Sequence, residues 1–157
     1  MMHCSPAHAT HAMTRAFLGM LCALTLGCAA GTRSPASGGV AAADATLAQI
    51  FFWRARPGMA AEYDRYIREV AEPIDREAQR TGAFLAVTTY AANDTTVPWT
   101  HMRVFLVRDS IQLQGLAAAL SAAGVRLEPD SIRRRRKGEY SASLRDRVGS
   151  VVTQIVK

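Results

Sequence analysis

The chain has 157 residues, 49% of them hydrophobic, and a formal charge of +6. That length sets a single domain as the expectation, and that apolar share suffices to bury a core. The cysteines are Cys4, Cys22 and Cys28, and the histidines are His3, His8, His11 and His101. A domain downstream of residue 28 therefore has no thiolate for a disulfide or a Cys-based metal site. Its single histidine is too few for a multi-histidine metal centre. No long apolar run follows the N-terminal region, so no internal membrane span is expected.

Residues 1–28 read as a signal peptide. In MTRAFLGMLCALTLGC, residues 13–28, Arg15 supplies a positive start, Ala16 to Leu26 a short apolar core, and Gly27 a small residue before Cys28. This is the layout of an export signal and is too short to span a bilayer. Met13 offers a second translation start. The closing LTLGC resembles a bacterial lipobox, in which the cysteine becomes the lipidated N-terminus. The resemblance implies lipidation of Cys28 and, because Ala29 rather than Asp follows, attachment at the periplasmic face of the outer membrane. A plain cleaved signal would leave the protein periplasmic or secreted. Residues 29–45, rich in Ala, Gly and Ser, read as a flexible linker. Acyl chains would hold the protein at the membrane, and the linker would let residues 46–157 stand clear of it.

LAQIFFWRA, residues 47–55, has the aromatic and branched composition of a strand, and Arg56-Pro57-Gly58 breaks it. Residues 59–81 predict a helix, with Met59, Tyr63, Ile67, Val70, Ile74 and Ala78 on one face. Pro73 should kink or restart it, and Gly82 should stop it. Residues 83–91 and 99–107 read as strands two and three, separated by a turn-rich loop. A second helix, capped by Asp109 or Ser110, is expected to run to Ala123 and end at Gly124. Its inward residues are Ile111, Leu113, Leu116, Ala117 and Leu120. A third, polar helix starts at Pro129 and Asp130, with Ile132, Tyr140 and Leu144 inward and Gly138 as an interruption. SVVTQIV, residues 150–156, reads as the last strand.

The order β-α-β-β-α-(α)-β predicts an α+β, ferredoxin-like fold: a four-stranded antiparallel sheet with helices on one face. Alternation then sorts the strand residues. Met102, Val104 and Leu106 in strand three, Leu85 and Val87 in strand two, and Ile50 and Phe52 in strand one are assigned to the helix side. Trp99, His101, Arg103 and Phe105 then share the open face with Phe84, Thr88 and Tyr90 and with Gln49, Phe51 and Trp53. A one-residue register error would reverse any of these assignments. An exposed aromatic face of that size calls for a partner, most simply a second copy through a two-fold interface.

FFWRARPGMAAEYDRYIREVAEPI, residues 51–74, resembles the strand–Pro-Gly–amphipathic helix entry of the dimeric α/β-barrel superfamily, in NIPSNAP-like, EthD-like and antibiotic-biosynthesis-monooxygenase-like members. The extra polar helix before the last strand is most similar to the NIPSNAP group. The resemblance covers residues 47–157 and implies two ferredoxin-like subunits joined face to face, with a ligand or active-site cavity beside the sheet. It carries no catalytic signature onto this chain.

The ten open-face residues are the candidate ligand pocket. His101 is the candidate acid or base, Arg103 the holder of a carboxylate or oxyanion, and the aromatics the walls for a small apolar or aromatic ligand. The plainer reading is a dimer seam in which His101 and Arg103 satisfy neighbouring groups. No cofactor is expected. Haem would have His101 as its only available ligand, and a strand histidine among aromatics is weak support for it. In IRRRRKGE, the cations at 133–137 cover every side of a helix, so most face water. Anionic lipid headgroups or an acidic partner are the alternatives. An exported protein disfavours nucleic acid as a partner.

The expectation for function is an exported, lipid-anchored, homodimeric small-molecule-binding domain. The alternatives are a monooxygenase- or isomerase-type enzyme using the same pocket, and an interaction lipoprotein without a ligand.

Overall fold

The structure, a computed structural model, describes residues 42–156. The signal segment, Cys28 and most of the linker lie outside the described residues.

The elements are β1 (Leu47–Ala55), helix α1 (residues 60–80), β2 (Ala86–Ala91), β3 (His101–Val107), α2 (Ser110–Leu127), α3 (Ser131–Leu144) and β4 (Arg145–Gln154). The four strands form one antiparallel sheet in the order β2-β3-β1-β4. The fold is α+β and ferredoxin-like, as the element order implies.

Pro73 leaves α1 continuous. The segment Ile67–Ala71 widens into a π-helical turn, and the Glu72 N–H reaches back five residues to the Ile67 carbonyl. The proline has no N–H to give to its own helical acceptor, and the wider turn absorbs that loss. Gly82 does end the helix, at φ +80°, a left-handed conformation that costs glycine little.

Gly124 does not end α2, which runs three residues further to Leu127. The stop comes from Pro129, which disfavours helical geometry at the residue before it; Glu128 sits at φ −138°, ψ 90°. The Asp130 carboxylate caps α3 by accepting from the Ile132 and Arg133 N–H groups, and α3 passes through Gly138 unbroken. β4 begins at Arg145, five positions before the expected start. Its first half, RDRVGS, is polar because it forms a sheet edge.

The sheet faces are the main correction. Cross-strand partners share a face, and β1 pairs with β3 as Gln49–Phe105, Phe51–Arg103 and Trp53–His101. This row lies under the helices. Phe105 and Val107 join Ala78, Leu116 and Ala123 in the larger core cluster, with Phe51 packed against it. Phe84, which precedes β2, is buried in that cluster, 5.1 Å from the Phe105 ring centroid. A second cluster holds Ala55, Tyr63, Ile67 and Leu144, with Trp53 and Tyr66 against it.

The opposite, open face carries Ile50 and Phe52 from β1, Met102, Val104 and Leu106 from β3, and Val151 from β4. Assignments in β1 and β3 are therefore reversed. In strand two the assignments of Val87, against the core, and of Thr88 and Tyr90, exposed on the open face, hold, but Phe84, expected on the open face, is buried in the core. Four helical residues expected inward are also exposed: Ile111, Ala117, Ile132 and Tyr140.

Candidate functional site

The helix side of the sheet holds a seam of polar side chains rather than a purely apolar core. His101 is 3% exposed. Its Nε2 lies 2.8 Å from Asp64 Oδ1 and its Nδ1 2.8 Å from Thr100 Oγ1. The Tyr63 ring meets it edge-on at 4.6 Å. Thr100 Oγ1 also accepts from the Ala55 N–H at 2.7 Å. Both ring nitrogens are thus engaged, and the ring is walled in. This arrangement does not fit an axial haem ligand, which needs a free ring nitrogen aimed at open space.

One strand step away, Arg103 forms a buried ion pair with Asp75 and donates through Nε to Thr89 Oγ1 at 3.3 Å. Burial pushes the Asp75 carboxyl above its ordinary range, and Arg103 beside it pulls the other way. Asp64 and Asp75 lie eleven positions apart in the sequence, three helical turns, so one side of α1 presents both acids to β3.

The seam reaches the surface at Arg145. Leu144 closes α3 and Arg145 opens β4 with no residue between, so this side chain lies where helix, sheet edge and α1 meet. Its guanidinium carbon stands 3.4 Å above the Trp53 ring, close enough for stacking and cation–π attraction. Nη1 donates to Tyr63 Oη at 2.7 Å and Nε to Ser141 Oγ at 3.1 Å. Burial pulls Arg145 below the ordinary guanidinium range and pushes the Tyr63 hydroxyl above the ordinary phenol range.

A bulge between Phe52 and Trp53 in the β1–β4 pairing leaves Val148 without a partner on β1. Arg145 and Arg147 thereby fall on the helix face, opposite Ala55 and Trp53. Bulges of this kind re-aim side chains beside sites. Here they open on a cleft of about 510 Å³ walled by Trp53, Tyr66, Ala142, Arg145 and Arg147, with Arg56 and Asp146 at its edge.

Two further clefts flank α1. One, of about 330 Å³, lies against α2 and α3 and is lined by Val70, Pro73, Ile74, Leu120 and Lys137 among others. The other, of about 360 Å³, lies beside β2 and includes Asp75, Thr88 and Arg103. His101 lines none of the three. Among the described residues no group of three His, Cys, Asp or Glu side chains converges as a metal site would require.

The ten residues expected to share a pocket are therefore dispersed. Gln49, Phe51, Trp53, His101, Arg103 and Phe105 point under the helices, and Phe84 is core. Thr88 and Tyr90 are exposed on the open face, and Trp99 packs on Phe52 with ring centroids 5.9 Å apart. Only Trp53 lines the Arg145 cleft. Sequence reasoning missed Arg145 and Arg147 because β4 was placed after them. The available signal was the alternation Arg145, Arg147 next to a Gly-containing break.

The run at 133–137 is largely engaged with its own surroundings. Arg133 lies near Glu128 and Asp130, Arg135 near Glu139, and Lys137 near Glu128. Arg134 donates to the Glu128 and Pro129 carbonyls.

No family model matches the sequence, and no curated protein matches it. Among solved structures the chain is similar to HapK from Hahella chejuensis, with a TM-score of 0.50 and 10% identity. The match covers 70% of this chain and 92% of HapK. At that identity the likeness concerns the fold alone, because one fold hosts many functions.

Proposed function

We propose that this protein is a small-molecule-binding domain whose ligand lies in the cleft at the start of β4. The observation that carries this reading is the cleft itself, about 510 Å³ with Trp53 and Tyr66 in its wall and a half-buried guanidinium at its base. Aromatic walls with a few convergent polar groups are what ligand sites of this size are made of. This replaces the open-face pocket centred on His101.

The domain is proposed to work as a homodimer of the dimeric α/β-barrel, NIPSNAP-like kind. Support comes from the open face, where Ile50, Phe52, Met102, Val104, Leu106 and Val151 form an apolar surface that no helix or strand among the described residues covers. The export layout and the LTLGC motif support anchoring through Cys28 at the periplasmic face of the outer membrane.

Native mass spectrometry of the purified full chain tests the binding reading. A dimer carrying a co-purified small molecule, lost on Trp53→Ala, is the expected result. A ligand-free protein whose Trp53 environment responds to no small molecule would favour the interaction lipoprotein instead. For the anchor, Cys28→Ser should move the protein from the membrane fraction to the soluble one, and unchanged fractionation would count against it.

A further inference from the structure

Arg145 differs in its partners from the ion-paired arginines. Arg103, which also lies under the helices, is paired with Asp75, and Arg56, Arg65, Arg76, Arg80, Arg126, Arg133 and Arg135 each lie within 4.0 Å of a carboxylate; partly buried Arg134 spends its donors on the Glu128 and Pro129 carbonyls of its own helix start. Arg145 is half-buried, yet its hydrogen-bond partners are the neutral oxygens of Tyr63 and Ser141. No carboxylate pairs with it among the described residues. A guanidinium has five N–H donors, and these two bonds use only two of them. A desolvated cation without a counter-charge is costly unless an anion completes it.

The surroundings reinforce this. Asp146, the one acid in the cleft lining, is held by Arg56 at 3.0 Å. Arg147, facing the same cleft, donates to Ser150 Oγ at 2.9 Å. The cleft thus has two cations not matched by an acid. Trp53 fixes the plane of the Arg145 guanidinium by stacking, and a fixed fork is what two-point recognition of an oxyanion requires.

We propose that Arg145 anchors an oxyanion group, carboxylate or phosphate, on a small organic ligand whose apolar body lies beside Tyr66. The proposal rests on the cleft reading above and adds the ligand's charge class to it. Arg147 contributes a second, more exposed positive charge at the mouth.

The test follows the Trp53 indole resonance of the full chain by NMR during titration with benzoate, phenyl phosphate and benzamide. One or both anions should shift it saturably, at an affinity about ten-fold or more above benzamide, the range expected for charge-assisted hydrogen bonds. The stronger anion identifies carboxylate or phosphate as the preferred group. Arg145→Gln should bring the anions down to the benzamide level, and Arg145→Lys, which keeps the charge but loses the fork, should retain part of the preference. If benzamide matches the anions, or Arg145→Gln binds them unchanged, the anion assignment falls while the cleft reading stands. If none of the three probes shifts the resonance, the anion assignment falls, and a co-purified neutral ligand would still preserve the cleft. Should Arg145→Gln lose a dispersed spectrum, the Arg145→Lys series decides: no preference for anions there, with wild-type preference also absent, overturns the proposal.

Discussion

His101 and Asp64 are joined through Nε2 and Oδ1 at 2.8 Å, with the imidazole 3% exposed and the carboxylate side chain 44% exposed. The bond is lopsided: one partner is sealed in and the other touches water. Removing the buried partner should cost far more than removing the exposed one. His101→Ala opens space beneath Tyr63 and frees Thr100 Oγ1, and it should destabilise the fold by about 2–3 kcal/mol. Asp64→Asn, at a half-exposed position, should cost about 1 kcal/mol or less. Urea denaturation with unchanged slopes reads both values. Equal losses would mean that the His101–Asp64 hydrogen bond, rather than the packing of the ring, holds this corner together.

Arg103 and Asp75 make the complementary case, an ion pair buried on both sides. Asp75→Ala strands the guanidinium under the helices and should cost about 3–5 kcal/mol. The double replacement Asp75→Leu with Arg103→Met should recover most of that loss, because two apolar side chains need no counter-charge. The comparison requires all the variants in one denaturation series. A double variant no better than Asp75→Ala would show that the pair specifies the packing of α1 on β3.

The element order was legible from periodicity and breakers, and with it the ferredoxin-like fold. The phase of the strands was not. In FFWRA of β1 both rows carry aromatic side chains, and in HMRVFLV of β3 the row of His101 and Arg103 also carries Phe105 and Val107, so alternation alone does not fix the phase. Assigning the more aliphatic row to the helix side chose the wrong one. His101 and Arg103 go inward because α1 offers Asp64 and Asp75 to receive them. A sequence signal existed: Asp75 sits between Ile74 and Ala78, among the apolar positions of α1, where an acid without a partner would be expensive. β4 was legible only in its β-branched second half. The polar first half that carries Arg145 reads as a loop, since an edge strand has one side in water.

A sheet with two apolar faces has a consequence for assembly. Val104 and Ile50 are cross-strand partners on the two central strands, β3 and β1, and both lie on the open face. If this face forms the proposed two-fold contact, Val104→Lys should convert the proposed dimer into a monomer by placing a charge at its middle, with little change in far-UV circular dichroism. Light scattering behind a sizing column checks the mass. A Val104→Lys protein that remains dimeric would place the two-fold contact elsewhere on the molecule.

Glu77 ties α1 to α2 by accepting from Arg80 Nε at 2.9 Å and Arg126 Nε at 2.6 Å. These arginines hold its carboxyl down at about 2, against an ordinary value of 4.5. A carboxyl lowered on folding adds stability that is present above its unfolded value and is lost as pH falls toward its folded value. Glu77→Gln should therefore be less stable than the parent at pH 7, and the deficit should shrink steadily between about pH 4.5 and pH 2. Arg126→Gln should reproduce part of the effect, because it removes the inter-helix partner and leaves Arg80 in place. Thermal melts of the three proteins across that range measure the slope. A deficit that stays constant down to pH 2 would show that Glu77 acts through packing rather than through its charge.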